Sequence, residues 1–174
     1  MFMSSQPKYL SGLPLVLLTM ALSLAVFMEV LDTTIANVAL PHIAGDLGAA
    51  TSQGTWVITS FAVANAISVP LTGWVARRFG EVRLFLTAVL MFVITSWLCG
   101  IAHNLTALIL FRTLQGLFTG PLIPLSQSLL LAAYPPHRRH LALAFWGMTV
   151  ITAPILGPII GGYISDRVQW GWIF

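Results

Sequence analysis

The stretch MEVLDTTIANVALP, residues Met28–Pro41, places two carboxylates inside an otherwise apolar helix. Glu29 and Asp32 are three residues apart, so they lie about 60° apart around a helix of 3.6 residues per turn. An acidic side chain near the middle of a membrane span costs roughly 2.5–3.5 kcal/mol and needs a partner, a proton or a water-filled cavity. The stretch therefore predicts a functional polar site within a membrane helix.

Composition identifies the chain as an all-α integral membrane protein. Hydrophobic residues make up 57% of it and charged residues 7%, whereas soluble proteins average about 25% charged residues. The net charge of +3 comes from eight Lys and Arg and five Asp and Glu, and the positions of the cations favour a role in topology over nucleic-acid binding. The single cysteine, Cys99, allows no intramolecular disulfide and is interpreted as a packing residue.

Five apolar segments are each long enough to cross a bilayer, which takes about 20 residues. The predicted spans are 13–40, 55–75, 82–101, 105–133 and 141–164. Residues 1–12 are expected to form an amino-terminal tail, and residues 165–174 an outer loop and the start of a sixth helix. Because GWIF at 171–174 resembles the beginning of another apolar helix, we expect residues 13–174 to be part of a longer membrane domain.

The cations predict the orientation. Apart from Arg112 and Arg167, the cations precede the first span or lie around the second and fourth connections, namely Lys8, Arg77, Arg78, Arg83, Arg138 and Arg139. The remaining connections contain only Arg167. Since positive charge is enriched in cytoplasmic loops, the amino terminus is predicted to be cytoplasmic.

The fourth span carries a cation and a polar stripe in LFRTLQGLFTGP, Leu110–Pro121. Arg112 is followed at helical spacing by Gln115, Thr119 and Ser126, a pattern typical of a wall that faces protein or water rather than lipid. Glu29 and Asp32 are the acidic residues available within the predicted spans to pair with Arg112. The alternative is that Arg112 extends to the outer membrane interface.

The fifth span ends in APILGPIIGGYISD, Ala153–Asp166, which is rich in glycine and proline. Gly157 and Gly161 form a face that allows close helix contact, and Pro154 and Pro158 each remove a backbone donor. Such a helix can pack tightly and bend, although a static dimerisation face is the alternative.

The second connection, GWVARRFGEVR at 73–83, is a tight hairpin with a glycine near each end. Its arginines can reach lipid phosphates or acidic helix ends. The alternative is that they only fix the topology.

These motifs together resemble the major facilitator superfamily. The resemblance rests on LDTTIANVALP, the hairpin from Gly73, LxRxxQGxxxGP in the fourth span and APxLGPxxGG in the fifth. The first and last of these, with the run at 52–74, are similar to its fourteen-span drug:proton antiporter branch. The resemblance implies a helical bundle, of which this chain holds the first five transmembrane helices of the amino-terminal half, and two halves that rock about a central cavity.

The resemblance also implies roles for particular residues. Asp32 is expected to couple transport to protons, with Arg112 as its basic counterpart. Glu29 lies just outside the family motif, and its position one turn earlier predicts that it extends the site or binds a cationic substrate directly; the alternative is a structural partner. The expected cavity or substrate residues are Gln115, Thr119, Ser126 and Asn37. The expected antiporter motif comprises Ala153, Pro154, Gly157, Pro158, Gly161 and Gly162, and the cytoplasmic hairpin motif comprises Gly73, Arg78, Gly80 and Arg83.

The hairpin departs from the family pattern at two positions. Arg77 stands where many members have an acidic residue, and Glu81 stands where they have a basic one. The gating salt bridge usually ascribed to this loop is therefore not expected in its usual form.

The expected function is proton-coupled multidrug efflux by alternating access across a bacterial inner membrane. Hydrophobic or cationic drugs, protons and membrane lipids are the expected partners, together with a periplasmic adaptor and an outer-membrane channel. The proton gradient is the expected energy source, with no cofactor and no metal, and no catalytic motif favours an enzyme. Transport of another small solute, or a truncated fragment without transport, are the alternatives.

Overall fold

The computed structural model describes residues 9–167 and 169–174, apart from the side chains of residues 51 and 166, and they fold as a bundle of α-helices. The helices are α1 Leu13–Asp46, α2 Thr51–Phe79, α3 Glu81–Gly100, α4 Leu105–Thr119, α5 Leu122–Ala133 and α6 Arg139–Arg167. Two short 3-10 helices cover Pro136–Arg138 and Trp170–Ile173. Most of the predicted tail 1–12, including Lys8, lies outside the described residues.

The number of predicted spans is confirmed. Within the described ranges, five helical segments are long and apolar enough to cross a membrane, and α4 and α5 together form one of them. Neighbouring spans are joined by short connections, as the sequence predicts, so the chain crosses back and forth as a compact bundle.

Several helices extend beyond the predicted spans. The first predicted span ends at residue 40, whereas α1 continues through Pro41 to Asp46. The buried side chains of Ile43 and Ala44 anchor these last turns in the core, although Pro41 lacks the N–H that a helix interior normally uses. At the other end of the chain α6 runs to Arg167, so the predicted outer loop from residue 165 begins later, and 170–173 form a 3-10 helix rather than an α-helix.

The fourth predicted span is interrupted where α4 meets α5, at Gly120 and Pro121. Pro121 has no N–H to donate to the main-chain carbonyl of Leu117, four residues earlier. The Ser68 hydroxyl on α2 donates to that carbonyl over 2.5 Å instead. A side chain from the neighbouring helix therefore satisfies the backbone group that the proline leaves open.

A polar layer divides the core of the bundle. α1 packs mainly on α6, and α4 packs on both α2 and α3. One apolar cluster lies toward the α1–α2 connection and includes Ile35, Ala39, Ile43, Val57, Leu108 and Trp170. A second lies toward the α2–α3 hairpin and includes Leu22, Phe85, Ala88, Leu122, Leu125 and Leu130. The buried polar residues of α1 and α4 lie between these two clusters.

The outer faces of the bundle are apolar. On α1, Leu17, Met20 and Leu24 are 56%, 63% and 57% exposed, and on α6 Ile151, Ile155 and Ile159 are 67%, 62% and 65% exposed. Exposed apolar stripes of this length are compatible with hydrocarbon and incompatible with water. The described fold is therefore that of a membrane protein whose polar groups face inward.

Candidate functional site

The centre of the polar layer is an ion pair between α1 and α4. Arg112 Nη1 donates to Asp32 Oδ2 over 2.6 Å, and the two side chains are only 2% and 6% exposed. The burial of Arg112 excludes the alternative in which this side chain extends to the membrane interface. Removing one partner of such a pair would leave an uncompensated buried charge, at a cost of about 3–5 kcal/mol.

Gln115 hydrogen-bonds both members of the ion pair. Arg112 Nη1 also donates to Gln115 Oε1 over 2.8 Å, and Gln115 Nε2 donates to Asp32 Oδ1 over 3.4 Å. Arg112 and Gln115 lie three residues apart and so share one face of α4. Each oxygen of the Asp32 carboxylate therefore has a donor from α4.

Two aromatic rings surround the guanidinium. The Arg112 Cζ atom lies 5.2 Å from the ring centre of Phe61 and 4.5 Å from that of Phe174. A cation above a desolvated ring gains about 2 kcal/mol, so these contacts favour the charged state of the arginine in an apolar setting. Sequence reasoning missed both rings, because an aromatic residue in an apolar helix carries no signal of a cation neighbour.

A second polar cluster lies beside the first. Glu29 is 5% exposed and lines the same cavity as Asn65 of α2. Asn65 Nδ2 donates to Thr119 Oγ1 over 3.2 Å, which links α2 and α4. Glu29 Oε2 is buried and has no hydrogen-bond partner among the described residues. Asn65 was missed by sequence reasoning, although an amide in the middle of an apolar span was a usable signal.

The remaining predicted cavity residues lie apart from these clusters. Ser126 accepts a 3.0 Å hydrogen bond from Trp146 Nε1 and donates to the main-chain oxygen of Ile123, so it connects α5 with α6. Asn37 lies on the exposed side of α1, more than one turn beyond Asp32. Of the four predicted cavity residues, Gln115 and Thr119 therefore belong to the polar layer, and Ser126 and Asn37 do not.

The predicted antiporter motif is divided between two faces of α6. Ala153, Gly157 and Gly161 are buried, and the two glycines lie against α1. A Cβ atom at Gly157 would overlap the side chain of Thr34, and one at Gly161 would lie 3.1 Å from Ile35 Cγ2. The remaining motif residues, Pro154, Pro158 and Gly162, lie on the other face, where both prolines are exposed and a Cβ at Gly162 would meet nothing within 4 Å.

The predicted hairpin motif joins α2 to α3 through Gly80, which has a φ of 89°. Such a φ is rarely adopted by residues other than glycine. Arg78 lies 6.0 Å from the ring centres of both Trp74 and Phe79. Gly73 and Arg83, the other two motif residues, are exposed.

Glu81, which departs from the family pattern, contacts α5. Its Oε2 accepts a 2.9 Å hydrogen bond from the Ser128 hydroxyl. The carboxylate therefore connects the hairpin to α5 through a neutral donor.

The polar layer holds ionisable groups of both signs. Within residues 9–167 and 169–174, no group of three His, Cys, Asp or Glu side chains is placed to hold a metal ion. What the layer offers is one paired carboxylate, one carboxylate with a free oxygen, and a guanidinium, all shielded from water. Such groups can take up and release protons, or bind a charged ligand, when their surroundings change.

Comparisons with known proteins agree on the fold. The Major Facilitator Superfamily matches residues 22–174. A crystal structure of a bacterial homologue of the human lysosomal transporter Spinster, in an inward-facing and unoccupied conformation, has a TM-score of 0.76 to this chain. It is 24% identical and covers 94% of this chain and 37% of its own, so it supports the fold alone.

Sequence relatives are much more similar. The chain is 69% identical to the multidrug export protein EmrB of Haemophilus influenzae and 66% identical to that of Escherichia coli strain K12, over 95% and 97% of its length. It is also 69% identical, over 95% of its length, to the fatty acid resistance protein FarB of Neisseria gonorrhoeae. The chain spans about a third of the length of these relatives, with coverages of 32%, 33% and 32%.

Proposed function

This chain belongs to the major facilitator superfamily, and on that premise we propose that it forms the amino-terminal part of a proton-coupled multidrug exporter. The exporter would lie in a bacterial inner membrane with its amino terminus in the cytoplasm. It would alternate between inward-open and outward-open states, using the proton gradient as its energy source and no cofactor. The relatives named multidrug export proteins support drugs as the substrate class.

The buried Asp32–Arg112 pair is the observation that carries the proposal. A guanidinium 2.6 Å from a carboxylate favours its charged form, whereas a dry site without the guanidinium favours the protonated form. A conformational change that separates Asp32 from Arg112 would therefore promote proton uptake, and restoration of the pair would promote release. Coupling this exchange to the two states of the transporter would let inward proton flow drive drug outward.

Gln115 supports the same role. It bonds both partners of the pair and can remain hydrogen-bonded to either one when they separate. A small movement of α4 relative to α1 would then separate Asp32 from Arg112 while one of the two side chains kept its hydrogen bond to Gln115. The cost of the transition is lower for such an arrangement than for an isolated buried ion pair.

Fatty acids are a second candidate substrate class, since a relative of equal identity is named a fatty acid resistance protein. A periplasmic adaptor and an outer-membrane channel are proposed as partners in a bacterium with two membranes. Membrane lipids would contact the exposed apolar faces of α1 and α6.

Transport in proteoliposomes tests the proposal. The complete transporter that contains this chain is reconstituted, an inward proton gradient is imposed, and drug movement and internal pH are recorded together. We expect Asp32→Asn to abolish proton-driven transport while drug exchange without a gradient continues. Asp46→Asn, which removes an exposed carboxylate at the end of the same helix, is the matched control and should transport normally. Unchanged proton-driven transport in Asp32→Asn would reject the coupling role.

A further inference from the structure

The Arg112 guanidinium is held to its polar partners by one of its nitrogens. The hydrogen bonds that it donates to Asp32 and Gln115 both come from Nη1. Its Nε is buried and has no hydrogen-bond partner among the described residues. A guanidinium bound in this way is restrained less than one that forms two parallel bonds to a carboxylate. Packing against the rest of the group therefore has a larger part in keeping it on Asp32.

The Phe61 ring of α2 packs against this guanidinium. Arg112 Cζ lies 5.2 Å from the ring centre, and Phe61 is only 7% exposed. The attraction between a cation and an aromatic face comes from the quadrupole of the ring and is strongest when both groups are desolvated. Phe174 contacts the same guanidinium at 4.5 Å, so Phe61 is one of two aromatic neighbours. Because Phe61 and Arg112 are both buried, the ring can hold the guanidinium in place.

A close approach of α2 to α4 at Gly116 explains why Phe61 reaches the ion pair. Gly116 is buried and lies four residues after Arg112, on the same face of α4. A Cβ atom at this position would overlap the main-chain oxygen of Phe61 and would lie 3.0 Å from Ala64 Cβ. The absence of a side chain therefore lets the Phe61 backbone come against α4 one turn from Arg112. The position of the ring is set by the packing of these two helices.

Phe61 also borders a cavity between α1 and α2. This space has a volume of about 350 Å³ and is lined mostly by apolar groups of the two helices. Asp32, Arg112 and Gln115 are not among the described residues that line it. Because Phe61 borders the cavity and also contacts Arg112, its ring separates the two at this point.

We propose that Phe61 is a positioning residue of the proton-coupling site, whose ring holds the Arg112 guanidinium on Asp32 and shields the ion pair from this cavity. The role rests on the proposed export function and adds a residue of α2 to the coupling machinery. Phe61 exchanges no proton itself and acts through Arg112. Without the aromatic ring the guanidinium would be held less firmly, and Asp32 would exchange protons with the cavity out of step with drug movement. The expected consequence is a proton leak.

Proton entry in the absence of drug tests this role. The complete transporter is reconstituted in proteoliposomes that contain a pH-sensitive dye, an inward proton gradient is imposed without drug, and the rate of internal acidification is recorded. Phe61→Leu keeps the apolar bulk but removes the ring, and we expect it to raise this rate about five-fold or more. Phe85→Leu is the matched control, because Phe85 is similarly buried, with 6% exposure, and packs in the second apolar cluster. This control should leak no more than the wild type.

Fluorination separates the contact between cation and ring from packing. Replacement of Phe61 by mono-, di- and trifluorinated phenylalanine weakens the ring quadrupole step by step while nearly preserving its shape. We expect the leak to rise with each added fluorine at position 61. The same series at position 85 should leave the leak constant.

A leak that stays at the wild-type rate throughout the fluorinated series would overturn the role of Phe61. This holds even if Phe61→Leu leaks, because that pattern indicates packing alone. Proton-driven efflux of the neutral probe N-phenyl-1-naphthylamine by the wild-type protein separates this role from the export proposal. If efflux occurs and the series shows no trend, the role of Phe61 fails and the export function stands. If the wild-type protein moves no probe under the gradient, the export proposal fails and the role of Phe61 falls with it.

Discussion

The Ser68 hydroxyl donates a 2.5 Å hydrogen bond to the main-chain carbonyl of Leu117. This carbonyl would accept from residue 121 in a regular helix, but Pro121 has no N–H. Ser68 is buried, with 8% exposure, so water cannot easily replace it. The contact therefore holds the junction of α4 and α5 against α2.

Loss of this hydroxyl should destabilise the bundle. We expect Ser68→Ala to cost about 1–3 kcal/mol, the usual cost of leaving a buried polar group without its partner. Thermal unfolding of the detergent-solubilised transporter measures the effect as a lower apparent Tm. Ser60→Ala is the matched control on the same helix, because the Ser60 hydroxyl contacts main-chain oxygens at the longer distance of 3.4 Å. Equal Tm values for the two variants would contradict the assigned role of Ser68.

The Asp32–Arg112 ion pair should make the effects of substituting these two residues on stability depend on each other. Arg112→Met should lower stability by about 3–5 kcal/mol, since it leaves Asp32 buried and uncompensated. The double variant Asp32→Asn with Arg112→Met should be more stable than Arg112→Met alone, because the stranded charge is removed. Denaturant unfolding of the four proteins in the cycle measures the coupling. A double variant no more stable than the single one would show that Asp32 does not depend on Arg112.

The close approach of α6 to α1 makes a third prediction. Gly157→Ala should cost about 1–3 kcal/mol by overpacking, because its Cβ would overlap the Thr34 side chain. Thr34→Ala in the same protein should recover part of this loss by clearing the space. Gly162→Ala is the control on the other face of the same helix, where a Cβ meets nothing within 4 Å. If Gly162→Ala lowered the Tm as much as Gly157→Ala does, helix propensity or bending, rather than contact with α1, would govern stability at both sites.

Most of the fold was accessible from the sequence because hydropathy over a window of about 20 residues is a strong signal. The five spans follow from it directly. The end of α1 at Asp46 was missed, since Pro41 and the polar residues after it read as a loop, whereas the structure keeps them helical by burying Ile43 and Ala44. The interruption at Gly120 and Pro121 was also missed, because an average over a window is insensitive to one absent N–H.

The charged residues of the site could be predicted from the sequence, whereas several of its uncharged residues could not. Because few charges lie inside the spans, elimination left Glu29 and Asp32 as candidate partners of Arg112, and the family resemblance favoured Asp32. Asn65 and Phe61 belong to α2, and their neighbours on α4 are about 50 residues away in sequence. Nothing in local periodicity predicts which faces of two distant helices meet, so these residues needed the packed structure. Asn65 lines the same cavity as Glu29, whereas Phe61 lines that cavity and also lies against Arg112.

The orientation of the bundle gives the last prediction. Ala50 lies in the connection between α1 and α2, and His137 lies between α5 and α6, and both are exposed. Cysteine replacements at these two positions should react differently with a membrane-impermeant maleimide. If the amino terminus is cytoplasmic, Ala50→Cys should be labelled from the periplasmic side, and His137→Cys only after the membrane is permeabilised. The native Cys99 is 0% exposed and should not react with the maleimide. Cysteines elsewhere in the transporter are replaced before labelling. The reverse labelling pattern would place the arginine-rich hairpin outside the cytoplasm, against the positive-inside rule from which the orientation is inferred.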